Sequence, residues 1–218
     1  FYAKPALSNA LVQGKVPAQL VTTPAEKMVA TLGVTLLQHT RVTGIDVQAQ
    51  EVHTQSKGAF GYRQLVLATG AKAIRVSFMG NATNDVMSVN SLDDYAAFRA
   101  KLKPQARVLI IGAGLIGCEF ANDLLTTNHD VTVVDLAPQP LGRLLPAEVA
   151  TAFQKQLEAK GIKFALGTTV QNIQHVPAGL KVDLANGQSF EVDIVLSAVG
   201  LKPNTELAHA ADLTINRG

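Results

Sequence analysis

The sequence has very little cysteine, and this scarcity excludes several kinds of site. Cys118 is the only cysteine among the 218 residues, so the chain cannot form an internal disulfide, a CxxC redox pair or a cysteine-based metal site. The five histidines lie in unrelated segments and lack the spacing of metal ligands. No metal is therefore expected. Because nothing here indicates an oxidising compartment, the cytoplasm is the expected location.

Charged residues and long apolar runs are also scarce. Charged residues make up 17% of the chain and the net charge is only +2, too small and too scattered to predict nucleic-acid binding. No apolar run approaches the ~18 residues of a membrane-spanning helix. The 47% of hydrophobic residues instead favours an α/β protein with a buried parallel sheet, organised as one large domain or two modest ones.

The strongest signal that is present lies at residues 107–121. An apolar run, Val108–Ile111, leads into the glycine motif Gly112–Gly117, and an amphipathic segment follows. This order predicts a strand, a tight turn and a helix. In the dinucleotide-binding fingerprint the first glycine allows the turn, the second lets a pyrophosphate approach the backbone, and the third lets the helix pack closely. The residues predicted to bind a dinucleotide here are Gly112, Gly114, Leu115, Ile116 and Gly117.

An acidic residue follows the glycine motif at the expected distance. The next apolar run, 131–134, ends at Asp135, about twenty residues beyond the turn, where a carboxylate can accept hydrogen bonds from a ribose 2′-hydroxyl. A carboxylate would repel a 2′-phosphate, and residues 136–139 contain no arginine to bind one. NADH is therefore predicted over NADPH. A turn that serves packing alone is the alternative, but strand, turn, helix and acid occur in the required order.

The rest of the pattern predicts further helices and strands. Two apolar segments, 65–68 and 194–197, each lead into a small-residue turn that contains glycine. The first residues, Phe1–Ser8, are interpreted as a loop. Helices are predicted over 23–32, 91–101 and 146–160, and further strands over 34–37, 41–45, 51–54, 62–68, 162–166, 169–176, 180–184, 189–192 and 193–197.

Together these segments resemble the flavoprotein reductases that are built from two dinucleotide-binding domains. The stretch Gly112–Glu119 resembles their nicotinamide-binding motif, and residues 68–70 and 198–204 resemble their paired ATG-type motifs. Two further stretches, Tyr2–Ser8 and Gly117–Leu124, most resemble the NADH-dependent rubredoxin reductases, although flavorubredoxin and ferredoxin reductases share much of the pattern. The resemblance covers essentially the whole chain.

The resemblance implies an α/β fold in which a Rossmann-like NAD-binding domain is inserted in a partial FAD-binding domain. The partial FAD-binding domain, without its first βαβ unit, is expected over 1–103, the NAD-binding domain over 104–200, and the return to the FAD-binding domain over 201–218. The strand and glycine turn that hold the FAD pyrophosphate in such enzymes are expected before Phe1. A later Gly-Asp motif is expected after Gly218, so the chain is interpreted as a fragment.

The resemblance also implies an oxidoreductase that uses FAD and NADH. Hydride would pass from the nicotinamide to the flavin, and electrons would then pass singly to rubredoxin, with alkane hydroxylation as the process served. Ferredoxin, flavorubredoxin or a quinone are the alternative acceptors. A nucleotide-binding sensor that uses the same fold without catalysis is an alternative of a different class.

Particular residues take roles through the resemblance. Lys4 is expected near flavin N5 with Glu119 as its ion-pair partner, because a cation stabilises an electron-rich reduced flavin; a solvated lysine and a solvated glutamate are the alternatives. Arg143 is expected near the adenosine of NADH or on the surface. Asn122 and Asp123 are assigned to a solvated helix face. The remaining residues expected to contact cofactor are Pro5, Ala68, Thr69, Gly70, Val199 and Gly200.

Overall fold

The computed structural model describes residues 1–216 and contains both helices and strands. The helices are α1 (Ala6–Val12), α2 (Ala25–Leu32), α3 (Leu92–Lys101), α4 (Leu115–Thr126), α5 (Ala147–Lys160) and α6 (Glu206–Ala210). The strands are β1 (Val42–Asp46), β2 (Glu51–Thr54), β3 (Gly58–Gly61), β4 (Ala71–Ala73), β5 (Arg107–Ile111), β6 (Asp130–Asp135), β7 (Lys163–Leu166), β8 (Val170–Val176), β9 (Gly179–Leu184), β10 (Ser189–Val192), β11 (Ile194–Ser197) and β12 (Leu201–Pro203).

The chain forms two compact units. The larger unit contains Phe1–Thr22 and Ala73–Gly200, and the smaller contains Thr23–Lys72 and Leu201–Gly218. These units are defined by contacts within the chain and not by the nucleotide that each would bind. The boundaries predicted for the FAD-binding and NAD-binding domains, 1–103, 104–200 and 201–218, therefore stay predictions. The last two residues of that third segment lie outside the described residues. Within residues 1–216, no helix is long and apolar enough to cross a membrane.

A four-stranded parallel sheet with strand order β11-β5-β6-β7 organises the larger unit. Its central strands are continuous apolar runs, as expected for strands covered on both faces. One face packs against helices and includes Leu124 and Leu157. The other face packs against the antiparallel sheet β10-β9-β8, through residues such as Ile173 and Val182. The α/β fold class is thus confirmed.

An ion pair joins the starts of two parallel strands. Arg107 donates to both carboxylate oxygens of Asp193, from Nη2 to Oδ1 at 2.9 Å and from Nε to Oδ2 at 3.2 Å. The guanidinium lowers the pKa of the Asp193 carboxyl through these bonds. A second contact at this end is made by buried His129, whose Nδ1 accepts the Ala106 N–H at 3.1 Å. Burial lowers the pKa of His129, and accepting this bond suits the neutral imidazole.

The smaller unit contains the antiparallel meander β1-β2-β3 and the pair β4-β12. The meander confirms the predicted strands at 41–45 and 51–54. The predicted strands at 34–37 and 62–68 were wrong, because neither forms a ladder with any part of the described chain. Val66, for example, is 84% exposed. An apolar run becomes a strand only where a neighbouring strand accepts its backbone hydrogen bonds.

Two further differences concern helices. The loop predicted at the start of the chain is wrong in part, because α1 begins at Ala6 and buries Leu7 and Leu11 in the core of the larger unit. The predicted helices over 23–32, 91–101 and 146–160 are confirmed by α2, α3 and α5. Helix α2 buries none of its residues.

Candidate nucleotide-binding site

The turn between β5 and α4 requires glycine at two positions. Gly112 has a φ of +110°, and a Cβ there would lie 2.7 Å from the carbonyl oxygen of Ala198. A Cβ on Gly117 would overlap the carbonyl oxygen of Gly112. Because both obstacles are backbone atoms, they cannot move aside as a side chain would. The first and third glycines of the motif therefore allow the tight turn and the close approach of α4 to the sheet.

Gly114, unlike Gly112 and Gly117, has no backbone obstacle beside it among the described residues. It is the N-cap of α4, has a φ of −75° and is exposed, and apart from its two chain neighbours no described residue has an atom within 4 Å of the position that a Cβ would occupy. No side chain caps the helix here, and Leu115 and Ile116 after it are exposed. The free N–H groups of the first helical turn thus face open space, a geometry that fits the pyrophosphate of a dinucleotide.

Asp135 lies at the same edge of the sheet and contacts the glycine turn directly. Its Oδ2 accepts the Ala113 N–H at 2.5 Å, and its Oδ1 accepts the Ala137 N–H at 2.7 Å. The Ala113 carbonyl in turn accepts the Leu141 N–H at 2.8 Å. The carboxylate is half-buried and keeps lone pairs for a further donor. It therefore orders the turn and lies where a bound ribose would be expected.

A second small-residue turn meets the glycine motif because β11 and β5 are parallel neighbours. Ala198 N–H donates to the Ile111 carbonyl at 2.7 Å, and the Ala198 carbonyl lies against Gly112. Val199 and Gly200 follow directly, and Gly200 has a φ of +120°. The carboxyl ends of parallel strands meet at one sheet edge, which is where ligands bind in such sheets.

The other ATG-type motif lies in the smaller unit and is tied to the segment after β12. Thr69 Oγ1 donates to the Asn204 carbonyl at 2.6 Å, and Asn204 Nδ2 donates to the Thr69 carbonyl at 2.9 Å. Asn204 N–H also donates to the Gly70 carbonyl at 2.9 Å. Ala68 precedes this turn and is exposed. The three bonds join two motifs that the sequence associates only by resemblance.

Lys4 and Glu119 both lie in the larger unit, but they do not form the expected ion pair. Lys4 Nζ donates instead to Asn90 Oδ1 at 3.2 Å, and no bridge of 4 Å or less joins it to Glu119 in the described part of the chain. Pro5, Leu115 and Glu119 line one groove of about 540 Å³ between α1, α4 and α5. In this structure the ammonium of Lys4 contacts the amide of Asn90 and not Glu119, and the ion pair expected at a bound flavin stays a prediction.

The sequence also made predictions for three polar residues, Arg143, Asn122 and Asp123. Arg143 is exposed, and within residues 1–216 it makes no hydrogen bond or ion pair, so its role stays a prediction. Asp123 is only 7% exposed, which corrects its assignment to a solvated face. It lies on α4, against which α1 packs, and Asn122 Nδ2 donates to its Oδ1 at 3.2 Å.

Cys118 is buried in the first turns of α4, and its Sγ donates to the Ala113 carbonyl at 3.5 Å. A helix start can lower a thiol pKa, but burial, followed by the charges of Asp135 and Glu119, raises the pKa of this one to about 11. We expect iodoacetamide at pH 8 to leave Cys118 unmodified in the folded protein. Peptide mass mapping would measure this, with protein in concentrated guanidinium chloride as the reactive control. Equal rates in both states would contradict the burial.

Some contacts of the site could not be found from the sequence. Asn90, the acceptor of Lys4, is 86 residues away along the chain and lies in no motif. The sequence also does not predict the hydrogen bond from the Leu141 N–H to the Ala113 carbonyl, although the prolines after Asp135 indicate a loop there. Both depend on long-range packing.

Several proteins are similar to this chain. A rubredoxin-NAD(+) reductase from Acinetobacter baylyi is 50% identical over 224 residues, covering all of this chain and 57% of the relative. A nitric oxide reductase FlRd-NAD(+) reductase from Aeromonas hydrophila is 38% identical and is covered over 55% of its length. The chain thus spans little more than half the length of these curated relatives.

Two solved structures share the fold. A ferredoxin reductase from Rhodopseudomonas palustris is 31% identical with a TM-score of 0.90, covering all of this chain and 54% of that one. Putidaredoxin reductase, in its covalent complex with putidaredoxin, is 28% identical with the same TM-score and the same coverage.

The parallel sheet and the glycine turn define a Rossmann-like dinucleotide-binding fold, which the two solved structures share. More particularly, the chain belongs to the pyridine nucleotide-disulphide oxidoreductase family, whose sequence profile matches residues 1–218.

Proposed function

We propose that the chain works as part of an NADH-dependent flavoprotein reductase that passes electrons from NADH through FAD to rubredoxin. The observation that carries this proposal is the site at the end of the parallel sheet. There the open space above Gly114 adjoins the N–H groups of α4, and Asp135 contacts the same turn. An uncapped helix start favours a phosphate, and a carboxylate favours a ribose with free hydroxyls.

The residues of this chain would bind and orient two nucleotides. The first turn of α4 would hold the pyrophosphate of NADH, and Asp135 would accept the ribose hydroxyl; Arg143 would contact the adenosine. FAD would supply the hydride acceptor and the single-electron steps. Lys4 would place a positive charge near flavin N5, and Glu119 would face the nicotinamide. The further residues proposed to contact cofactor are Pro5, Ala68, Thr69, Gly70, Val199 and Gly200.

Rubredoxin is proposed as the acceptor because the relative that carries its name is 50% identical, against 38% for the FlRd-NAD(+) reductase. The cytoplasm is proposed as the compartment, and alkane hydroxylation as the process served stays a prediction. Flavorubredoxin and ferredoxin are the alternative acceptors, supported by the second relative and by the ferredoxin reductase structure. All three acceptors would use the same nucleotide site.

The test is a reduction experiment on the full-length protein. We expect it to be purified yellow and to be bleached by one equivalent of NADH without oxygen, while NADPH acts more slowly because Asp135 repels its 2′-phosphate. Stopped-flow mixing of the reduced protein with rubredoxin, flavorubredoxin, ferredoxin and a quinone would then rank the acceptors, with rubredoxin fastest. A colourless protein, or a yellow one that NADH does not bleach, would indicate the non-catalytic sensor instead.

A further inference from the structure

The first residues of the chain are attached to the start of α3. Tyr2 Oη accepts the Leu92 N–H at 3.1 Å, and Lys4 Nζ donates to Asn90 Oδ1 at 3.2 Å. The two contacts are made by residues two positions apart, before α1 begins, and they hold this short segment at two points. The loop that carries Lys4 is therefore fixed by side chains, although Lys4 itself is exposed.

Asn90 is in turn held by the capping arrangement of α3. Its N–H donates to Asp94 Oδ2 at 3.0 Å, and the Asp94 N–H donates to Oγ of Ser91, the N-cap, at 3.1 Å. This is the reciprocal pattern of a capping box, with the acid bonded one residue before the N-cap. The acceptor of Lys4 therefore belongs to a rigid helix start and not to a free loop.

The same helix also supports α4, which carries Glu119. Phe98 of α3 meets Phe120 of α4 edge to face, with ring centroids 5.9 Å apart and an interplanar angle of 82°. Both rings are buried, and Phe120 is the residue next to Glu119. Further along α3, Tyr95 Oη donates to the Lys15 carbonyl at 2.9 Å and so holds the segment after α1. Helix α3 thus sets where Lys4 lies relative to Glu119.

We propose that Asn90 is a positioning residue for Lys4, an inference that rests on the proposed role of Lys4 in flavin reduction. An amide oxygen is a neutral acceptor, so it directs the ammonium group without neutralising it. A carboxylate partner at the same place would cancel much of the field that Lys4 exerts on an electron-rich group. Asn90 therefore aims the charge of Lys4 and leaves that charge intact.

The experiment uses the full-length holoenzyme with four variants: Asn90→Leu, Asn90→Ser, Lys4→Met and Asn90→Leu combined with Lys4→Met. Stopped-flow spectroscopy measures flavin reduction by NADH, and spectroelectrochemistry measures the flavin midpoint potential. We expect Asn90→Leu to slow reduction about tenfold and to shift the potential in the negative direction, as Lys4→Met does, because the cation is displaced. Added to Lys4→Met, Asn90→Leu should change neither quantity further.

The matched control is Asn81→Leu, which removes another amide acceptor, that of the His175 N–H at 2.9 Å, from the same unit. It should leave the reduction rate and the potential unchanged. If Asn90→Leu does not retain FAD, Asn90→Ser, a smaller change, is compared with the wild type in the same two measurements. Effects of Asn90 and Lys4 substitutions that simply add, or an unshifted potential in Asn90→Leu and Asn90→Ser, would overturn the positioning role. An unchanged rate in Lys4→Met would instead show that the proposed role of Lys4 fails.

Discussion

Replacement of Gly114 by valine is expected to abolish NADH binding while the protein stays folded. Apart from its two chain neighbours, no described residue has an atom within 4 Å of the position that a Gly114 Cβ would occupy, and the φ of −75° suits any L-residue. The Cβ of a valine would therefore meet no described atom outside the adjoining residues, and its methyl groups would enter the space that the pyrophosphate requires. We expect NADH affinity to fall at least about a hundredfold, which corresponds to ~2.7 kcal/mol of binding free energy. Isothermal titration calorimetry with NADH, on protein whose flavin has already been reduced without oxygen, would measure the loss.

The matched control is Gly117→Ala, a smaller change in the same motif. Its Cβ would overlap the Gly112 carbonyl oxygen, so this substitution should lower the melting temperature or prevent folding, because the obstacle is backbone. Gly114→Val should keep the melting temperature of the wild type. Normal NADH binding by Gly114→Val, or a similar loss of stability in both variants, would contradict a phosphate-binding role for this turn.

The parts of the site that the sequence predicts are those encoded over short distances. Gly112, Gly114 and Gly117 lie within one turn, and the strand and helix around them follow from apolar periodicity. Asp135 lies one strand further on and could be placed by its spacing alone. The structure agrees because parallel pairing of β5 with β6 brings Asp135 back to the glycine turn.

The parts that the sequence does not predict depend on partners far away along the chain. The segment 65–68 has the composition of a strand, but the described chain supplies no neighbouring strand for it. Asp123 is charged and would be expected in solvent, yet it is buried on α4, the helix against which α1 packs from more than a hundred residues earlier in the chain. Lys4 could be assigned to Glu119 only by resemblance, and the capping of α3 gives it Asn90 instead. Pairing, burial and side-chain contacts of this kind are decided by the tertiary fold.

Cofactor preference should be reversed by two substitutions at the tip of β6, Asp135→Asn with Leu136→Arg. The asparagine has nearly the same shape and keeps an acceptor for one of the N–H groups that Asp135 now binds, but it removes the charge that repels a 2′-phosphate. Leu136 is 73% exposed, so an arginine fits there without disturbing the core and can bind a phosphate in bidentate fashion.

The wild type should bind NADH more tightly than NADPH. The double variant should bind NADPH at least about tenfold more tightly than NADH, a difference of roughly 1.4 kcal/mol in binding free energy. Calorimetric titration of both nucleotides into each variant would measure it. Asp135→Asn alone should weaken NADH binding and should only abolish the preference for NADH over NADPH, because no cation has been added to bind the 2′-phosphate. Leu136→Arg alone should increase NADPH affinity only slightly, since the Asp135 carboxylate would pair with the new guanidinium and neutralise its charge. If the double variant still preferred NADH, the ribose would have to bind away from Asp135. The only role of Asp135 would then be to order the turn through its hydrogen bonds to the N–H groups of Ala113 and Ala137.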